Sequence, residues 1–373
     1  MKKSSNTLKT CLVVASAAIF SLVFASLISS CSSEDIPAPA PKTAELQLIL
    51  GGTNYSRATG GSLPAIAAEN TINNIAVGVF NTDGTVNTIA EPTLSGATTS
   101  TILCAPGTVD ILVVANAPAG TFTGVQTKDE FWAKTVNLSQ MNNSGVQAST
   151  NLPMSGETLN VALQDGYTTT PTVKVSRLVA KIYVNSIKTD FAQNGQEFIL
   201  EKVFLYNALE TSKVAPGNTT KTMPTTPSWL HGGTLVSNTW TPGTNYLLNT
   251  LSPAVNVTVT GELTTPFWFY GFANNNTSNP TKLVLAGKYK ANTASPYEDI
   301  YYPIVVNKAQ EGTTITNGDG MSTINRNTNY RITATIKTKG VSDPKEDLKP
   351  SMLAIDVEIE DWILEVLQEV VIE

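Results

Sequence analysis

The sequence is poor in the residues from which most enzymes and metal sites are built. It holds one histidine, His231, and three cysteines, Cys11, Cys31 and Cys104. A zinc site of His and Cys, a catalytic triad with histidines to spare, or a disulfide framework needs more than this. His231 sits in the turn-like stretch Trp229-Leu230-His231-Gly232-Gly233 and reads as a surface residue. Charged residues make up 14% of the chain, against about 25% in an average protein. A formal net charge of -6 leaves no basic footprint for nucleic acid. There is no phosphate-binding glycine loop. The acidic loop at 343–347 lacks the dense spacing of a calcium-binding EF-hand. Nothing sets a second acid opposite Glu298-Asp299 or Glu360-Asp361, as a glycosidase requires. These absences point away from an enzyme and imply no cofactor or metal.

What the chain has in quantity is threonine, about one residue in seven, with many Asn, Ser, Gly and Pro. Threonine favours strands and the others favour turns, so an all-β fold is expected. A hydrophobic share of 41% is enough for packed cores. The length, 373 residues, suggests two domains once a leader is set aside. From residue 44 onward short apolar runs alternate with turn signals, the pattern of β-sandwiches. Asp83-Gly84 between apolar runs marks a hairpin. One short helix is expected over 128–136, and residues 211–250 and 273–281 read as long surface loops. The shift to turn-type residues at 163–171 places a domain boundary near residue 171.

The N-terminus carries Met1-Lys2-Lys3 and Lys9, then an apolar run over 11–28. Positive charge before an apolar stretch is an export signal. Leu27-Ile28-Ser29-Ser30-Cys31 resembles a bacterial lipobox, which makes 1–30 a signal peptide and Cys31 the acylated residue. Residues 32–43, with alternating prolines, read as an extended spacer. Cys11 leaves with the leader, and Cys104 reads as a small core residue.

The two ends of the remaining chain are the most informative. Near the start, Leu46, Leu48 and Leu50 alternate with Glu45, Gln47 and Ile49. Near the end, Leu353, Ile355, Val357 and Ile359 alternate with acidic residues, a strand that already closes a sheet. The chain then continues, with Leu364, Val366, Val370 and Ile372 on one face of a further strand. A strongly apolar end strand is a liability in water unless something receives it. Between the first strand and the next lies Gly51-Gly52-Thr53-Asn54-Tyr55-Ser56-Arg57-Ala58-Thr59-Gly60-Gly61. Arg57 is the only arginine before Arg177 and sits in the kind of loop proteases cut. Cutting after Arg57 would release residues 31–57 with the first strand, and the end strand of another copy could fill the groove by strand addition. Five apolar side chains at about 1.5–3 kcal/mol each give roughly 8–15 kcal/mol of gross burial. Ordering some ten residues costs a comparable amount, at about 1–2 kcal/mol each. Head-to-tail addition need not close and therefore makes a filament.

Several features together resemble the Bacteroidales major fimbrial subunit family, the FimA-type fimbrillins. They are the leader ending in Cys31, Ser176-Arg177-Leu178-Val179-Ala180-Lys181-Ile182, and Tyr330-Arg331-Ile332-Thr333-Ala334-Thr335-Ile336 followed by a strand ending in Asp361-Trp362. The resemblance implies two transthyretin-like β-sandwich domains in tandem, over 58–171 and 172–373. It implies a lipidated propeptide, 31–57, removed by an arginine-specific protease acting between Arg57 and Ala58. It implies Leu46, Leu48 and Leu50 in the strand that is lost and Leu364, Val366, Val370 and Ile372 in the donor strand. The product would be a surface fimbrium assembled from copies of this chain and related subunits, derived from an outer-membrane lipoprotein and supporting adhesion to a host or bacterial receptor. The competing reading is a surface glycan-binding lipoprotein tethered through Cys31. Trp229 and Trp240 are its sugar-stacking candidates, whereas Pro266-Phe267-Trp268-Phe269-Tyr270 reads as core. Arg177 and Lys181 share a face, read as solvated or interdomain.

Overall fold

A computed structural model describes residues 42–52, 67–217, 219–257, 262–264 and 267–361. Within them the chain is almost entirely β, as expected, and its sheets form two groups.

The first group holds an eight-stranded sheet. Its order is Val86–Ala90, Ile75–Asn81, Gly107–Ala115, Met154–Leu163, Thr172–Arg177, Ile49–Gly52, Thr98–Thr99 and Leu94–Ser95. Facing its core is a three-stranded sheet of Thr168–Thr169, Ala44–Leu46 and Ile102–Cys104. Residues 109 and 111–115 are buried without alternation, as in a strand covered on both faces. Gly84 has φ +84° in the expected hairpin between Ile75–Asn81 and Val86–Ala90, a conformation that costs glycine nothing. Gly156 is required for another reason: a Cβ there would lie 2.0 Å from the Lys174 carbonyl oxygen.

The expected helix runs over Lys128–Ala133. Thr127 caps it, its Oγ1 accepting from the Glu130 amide at 3.2 Å. Glu130 reaches back to accept from the Gln126 amide at 2.8 Å, so each side chain satisfies a donor near the helix start. Phe131 anchors the helix against Phe122 and Phe80.

The second group pairs a six-stranded sheet with a four-stranded one. The first contains Val179–Thr189, Thr328–Ile336, Leu353–Asp361 and Thr313–Thr316 in that order, with Glu262–Leu263 and Phe267–Phe272 both on the far side of Val179–Thr189. The second runs Leu248–Val257, Glu197–Tyr206, Lys282–Lys290, Glu298–Val305. Leu353, Ile355 and Val357 face inward as their alternation predicts. One continuous core joins both groups.

One expectation is refined and one corrected here. Sheet membership changes at Leu178, close to the expected boundary near residue 171. Thr172–Arg177 pairs with Met154–Leu163 and Ile49–Gly52, and Val179–Thr189 enters the second group. The turn-type residues at 163–171 are a local connection within the first group. Nor are residues 211–250 a plain loop. They hold short strands at Thr211–Lys213, Trp229–Leu230, Gly233–Val236 and Thr239–Pro242. The last two form a hairpin that, with Val341, covers the outer face of the four-stranded sheet.

Candidate functional site

The leading segment, residues 44–52, belongs to both sheets of the first group. Ala44–Leu46 lies between Ile102–Cys104, antiparallel, and Thr168–Thr169, parallel. Ile49–Gly52 lies between Thr98–Thr99, antiparallel, and Thr172–Arg177, parallel. The segment crosses from one sheet to the other at Gln47-Leu48 without breaking its alternation. Ala44, Leu46, Leu48 and Leu50 are all buried, at 0–1% exposure.

Its backbone is satisfied by partners far away in sequence. The amides of Glu45, Gln47 and Ile49 donate to the carbonyls of Tyr167, Thr169 and Pro171 at 3.0–3.1 Å. On the other side the Leu50 amide donates to Ala97 O at 2.8 Å. At the crossover Thr99 takes both roles. Its amide donates to Leu48 O at 3.0 Å, and its Oγ1 accepts from the Leu48 amide at 2.9 Å. Thr99 is 2% exposed, so no water replaces that acceptor. Outside, Thr168 Oγ1 donates to Glu45 Oε2 at 2.7 Å.

Of the residues singled out in the sequence, Leu46, Leu48 and Leu50 therefore converge on one core. Cys31, Arg57, Ala58, Leu364, Val366, Val370 and Ile372 lie outside the described residues. Cys104 is a buried free thiol beside the segment, its pKa pushed up by burial. The aromatic stretch is core at Phe267, Phe269 and Tyr270, with Trp268 exposed.

Arg177 and Lys181 take the interdomain alternative rather than the solvated one. Both are buried at the junction of the two sheet groups, facing Glu69 of the turn Ala67–Asn70. Glu69 is fully buried, and its Oε1 accepts from Lys181 Nζ and from the Tyr270 hydroxyl, each at 2.7 Å. Arg177 Nε donates to the Glu69 carbonyl at 3.1 Å. Arg326 sits behind, donating from Nε to Arg177 O at 2.9 Å, from Nη1 to Ala215 O at 3.0 Å and from Nη2 to Ser155 Oγ at 3.2 Å. Burial pulls Arg177 down to about 10, with Glu69 and Tyr270 acting the other way. It pulls Arg326 down to about 9. Burial, then the Glu69 carboxylate, holds the Tyr270 phenol protonated far above its usual range. A second tie is the amide of Gln147, which donates to Tyr270 O and accepts from the Tyr270 amide, each at 2.7 Å.

Sequence reasoning missed Glu69, Thr99 and Arg326. The available signal was scarcity: in a chain with four arginines, each is expected to be committed. His231 is also not a plain surface residue. It stacks on Tyr206 at 4.1 Å, its Nδ1 accepts the Asn207 amide at 3.1 Å, and burial lowers its pKa.

The comparisons follow the same body. The family model for the major fimbrial subunit protein FimA matches residues 44–196, starting on the leading segment. That for the FimA4 pilin C-terminal domain matches residues 151–362, more than half of the chain. The chain belongs to the FimA-type fimbrillins. A relative in Parabacteroides distasonis, named as fimbrium tip subunit Fim1C, is 30% identical over 205 residues, 48% of this chain. The chain covers 53% of that protein's length. Among solved structures, a protein of Bacteroides eggerthii described as a cell adhesion protein is 25% identical with a TM-score of 0.64. It is matched over 86% of this fimbrillin and 97% of its own chain. A fimbrilin of Porphyromonas gingivalis has the same TM-score at 18% identity, over 88% of this fimbrillin and 99% of its own chain, and shares the fold.

Proposed function

We propose that this fimbrillin is a stalk subunit of a surface fimbrium, built by exchange of the leading strand. The precursor is exported as a lipoprotein, acylated at Cys31 and held at the outer membrane. An arginine-specific protease cuts between Arg57 and Ala58, and residues 31–57 leave with the lipid. The end strand of a neighbouring copy or related subunit, with Leu364, Val366, Val370 and Ile372 inward, takes the vacated place. The mature subunit is residues 58–373, or 373 - 57 = 316 residues. The filament so made carries the adhesive function.

One observation supports this reading above the others. The leading segment fills an interior position in two sheets at once, so its removal opens a slot with unpaired backbone on both walls. Three buried leucines account for about 5–9 kcal/mol of gross apolar burial, which an incoming strand must match. Leu364, Val366, Val370 and Ile372 supply apolar groups on one face of a strand, with Gln368 between the two pairs.

The test is the N-terminus and intact mass of material sheared from cells, run beside a chain lacking residues 364–373. The expected result is an unlipidated chain starting at Ala58, in a heat-sensitive ladder that the truncation abolishes. A monomer starting at lipidated Cys31 would sink the proposal and favour a tethered binder.

A further inference from the structure

The outer face of the four-stranded sheet carries a cleft of about 440 Å³, within the range of small-molecule sites, about 300–1,000 Å³. It exists because its floor is Ala286 and Gly287, where the strand Lys282–Lys290 has almost no side chain to fill the space. Gly287 is fixed by packing below: a Cβ there would lie 1.9 Å from the Ile199 carbonyl oxygen. One wall is aromatic. Trp240, from the Thr239–Pro242 arm of the covering hairpin, stacks with Tyr301 at 5.9 Å and 21° between ring planes. Lys202 Nζ lies over the indole at 5.4 Å. The rim is charged and balanced. Lys288 pairs with Asp299 at 2.7 Å, and Lys202 with Glu201 at 3.4 Å.

The cleft's lining suits a ligand with hydroxyls. An aromatic wall offers a face to sugar C–H groups, carboxylates accept from vicinal hydroxyls, and ammonium groups donate to ring and hydroxyl oxygens. Two positive and two negative groups pair off along the rim, which suits a neutral ligand.

We propose that this cleft binds a neutral hexose, free or at the end of a glycan, with Trp240 as the stacking wall and Glu201, Asp299 and Lys288 as the hydroxyl partners. The cleft shares no strand with the sheets that hold the leading segment, so strand exchange leaves it open.

The experiment is saturation-transfer NMR on the full chain with methyl α-mannoside, methyl β-galactoside, methyl β-glucoside and methyl N-acetyl-β-glucosaminide, and with a methyl sialoside as the anionic probe. Transfer to at least one neutral glycoside is expected, with a dissociation constant of about 1 mM or tighter. Asp299→Asn, on the exposed rim, should weaken it about tenfold with thermal unfolding unchanged. Trp240→Leu keeps an apolar side chain against Phe204 but removes the aromatic wall, and should weaken binding by a similar factor. Absence of transfer to every neutral glycoside at about 20 mM would overturn the proposal. So would transfer to the sialoside alone, or binding unchanged in both variants.

Discussion

Thr99→Val isolates the bond at the crossover of the leading segment. The substitution keeps shape, branching and the Thr99 amide, so the bond to Leu48 O survives. It deletes the Oγ1 that accepts from the Leu48 amide at 2.9 Å, in a place where Leu48 is 0% and Thr99 2% exposed. A buried amide left without an acceptor costs about 1–3 kcal/mol. That energy is felt only while the leading segment is in place, so it appears as weaker holding of the segment once the chain is cut. The expected result is release faster by about 5- to 150-fold. The assay uses a soluble precursor starting at Ser32, nicked by brief treatment with an arginine-specific protease. Arg177 and Arg326 are buried and Arg331 is bonded to Asn185 and Glu358, which leaves Arg57 as the remaining arginine. Release of residues 32–57 is followed by size exclusion and mass spectrometry. Thr88→Val is the control, because it removes a hydroxyl bonded to Leu103 O and none to the leading segment. Equal release rates for Thr99→Val and wild type would refute the reasoning. So would a wild-type segment that leaves as fast as it is cut.

Two further outcomes follow from the buried charges and phenols. Glu69→Ala removes the carboxylate that accepts from both Lys181 and Tyr270 and should cost about 3–5 kcal/mol in urea unfolding. The Glu69→Ala/Lys181→Ala double variant should cost less than the sum of the single variants, and strict additivity would dissolve the pair. Tyr301 is held up to about 12, by burial first and then by the carboxylates of Asp299, Asp343 and Glu201. Its unfolded form titrates near 10, so the folded state binds the extra proton between the two values and stability falls as pH rises through that window. The slope is about 1.4 kcal/mol per pH unit for each such group. Tyr301→Phe should flatten the decline of the urea midpoint between about pH 10 and 12, and an unchanged slope would show that Tyr301 does not contribute.

Much of the fold is written locally. The leading segment, the strand Leu353–Asp361, the Asp83-Gly84 hairpin and the capped helix at Lys128 each carry their signal within about ten residues. Burial of Leu46, Leu48 and Leu50 follows from alternation alone. The junction does not work this way. Glu69 is 112 residues from Lys181 and 201 from Tyr270, and nothing near any of them announces the others. Arg177 and Lys181 read as solvated or interdomain, and the choice between the two is not written locally, because only tertiary pairing permits buried charge. The hairpin at 233–242 hid for a related reason. Its strands cover a neighbouring sheet's outer face and have no apolar period of their own. The switch of sheets at Leu178 is not legible to the residue, because turn residues mark any tight connection, within a sheet group as well as between two.

The placement of the leading segment explains why its exchange and its retention are both credible states for one fold. An edge strand can be lost and leave an ordinary edge. This one is interior to both sheets, and its partners lie 47 to 123 residues away, so no hairpin turn ties it to them. Taking it out separates Thr168–Thr169 from Ile102–Cys104 and Thr172–Arg177 from Thr98–Thr99, leaving walls about 10 Å apart, twice the spacing of neighbouring strands. Neither wall can close on the other, because each is fixed by its own core side chains, Ile102 and Cys104 on one side and Val173 and Val175 on the other. An empty slot therefore exposes two facing rows of backbone donors and acceptors and the apolar floor beneath Leu46, Leu48 and Leu50. Such a slot favours any extended chain with apolar groups at a spacing of two. On the proposed function, the covalently attached segment would meet that requirement first and so protect the precursor. If that link is cut as proposed, a second chain would compete on equal terms, with the outcome decided by concentration and by side-chain fit.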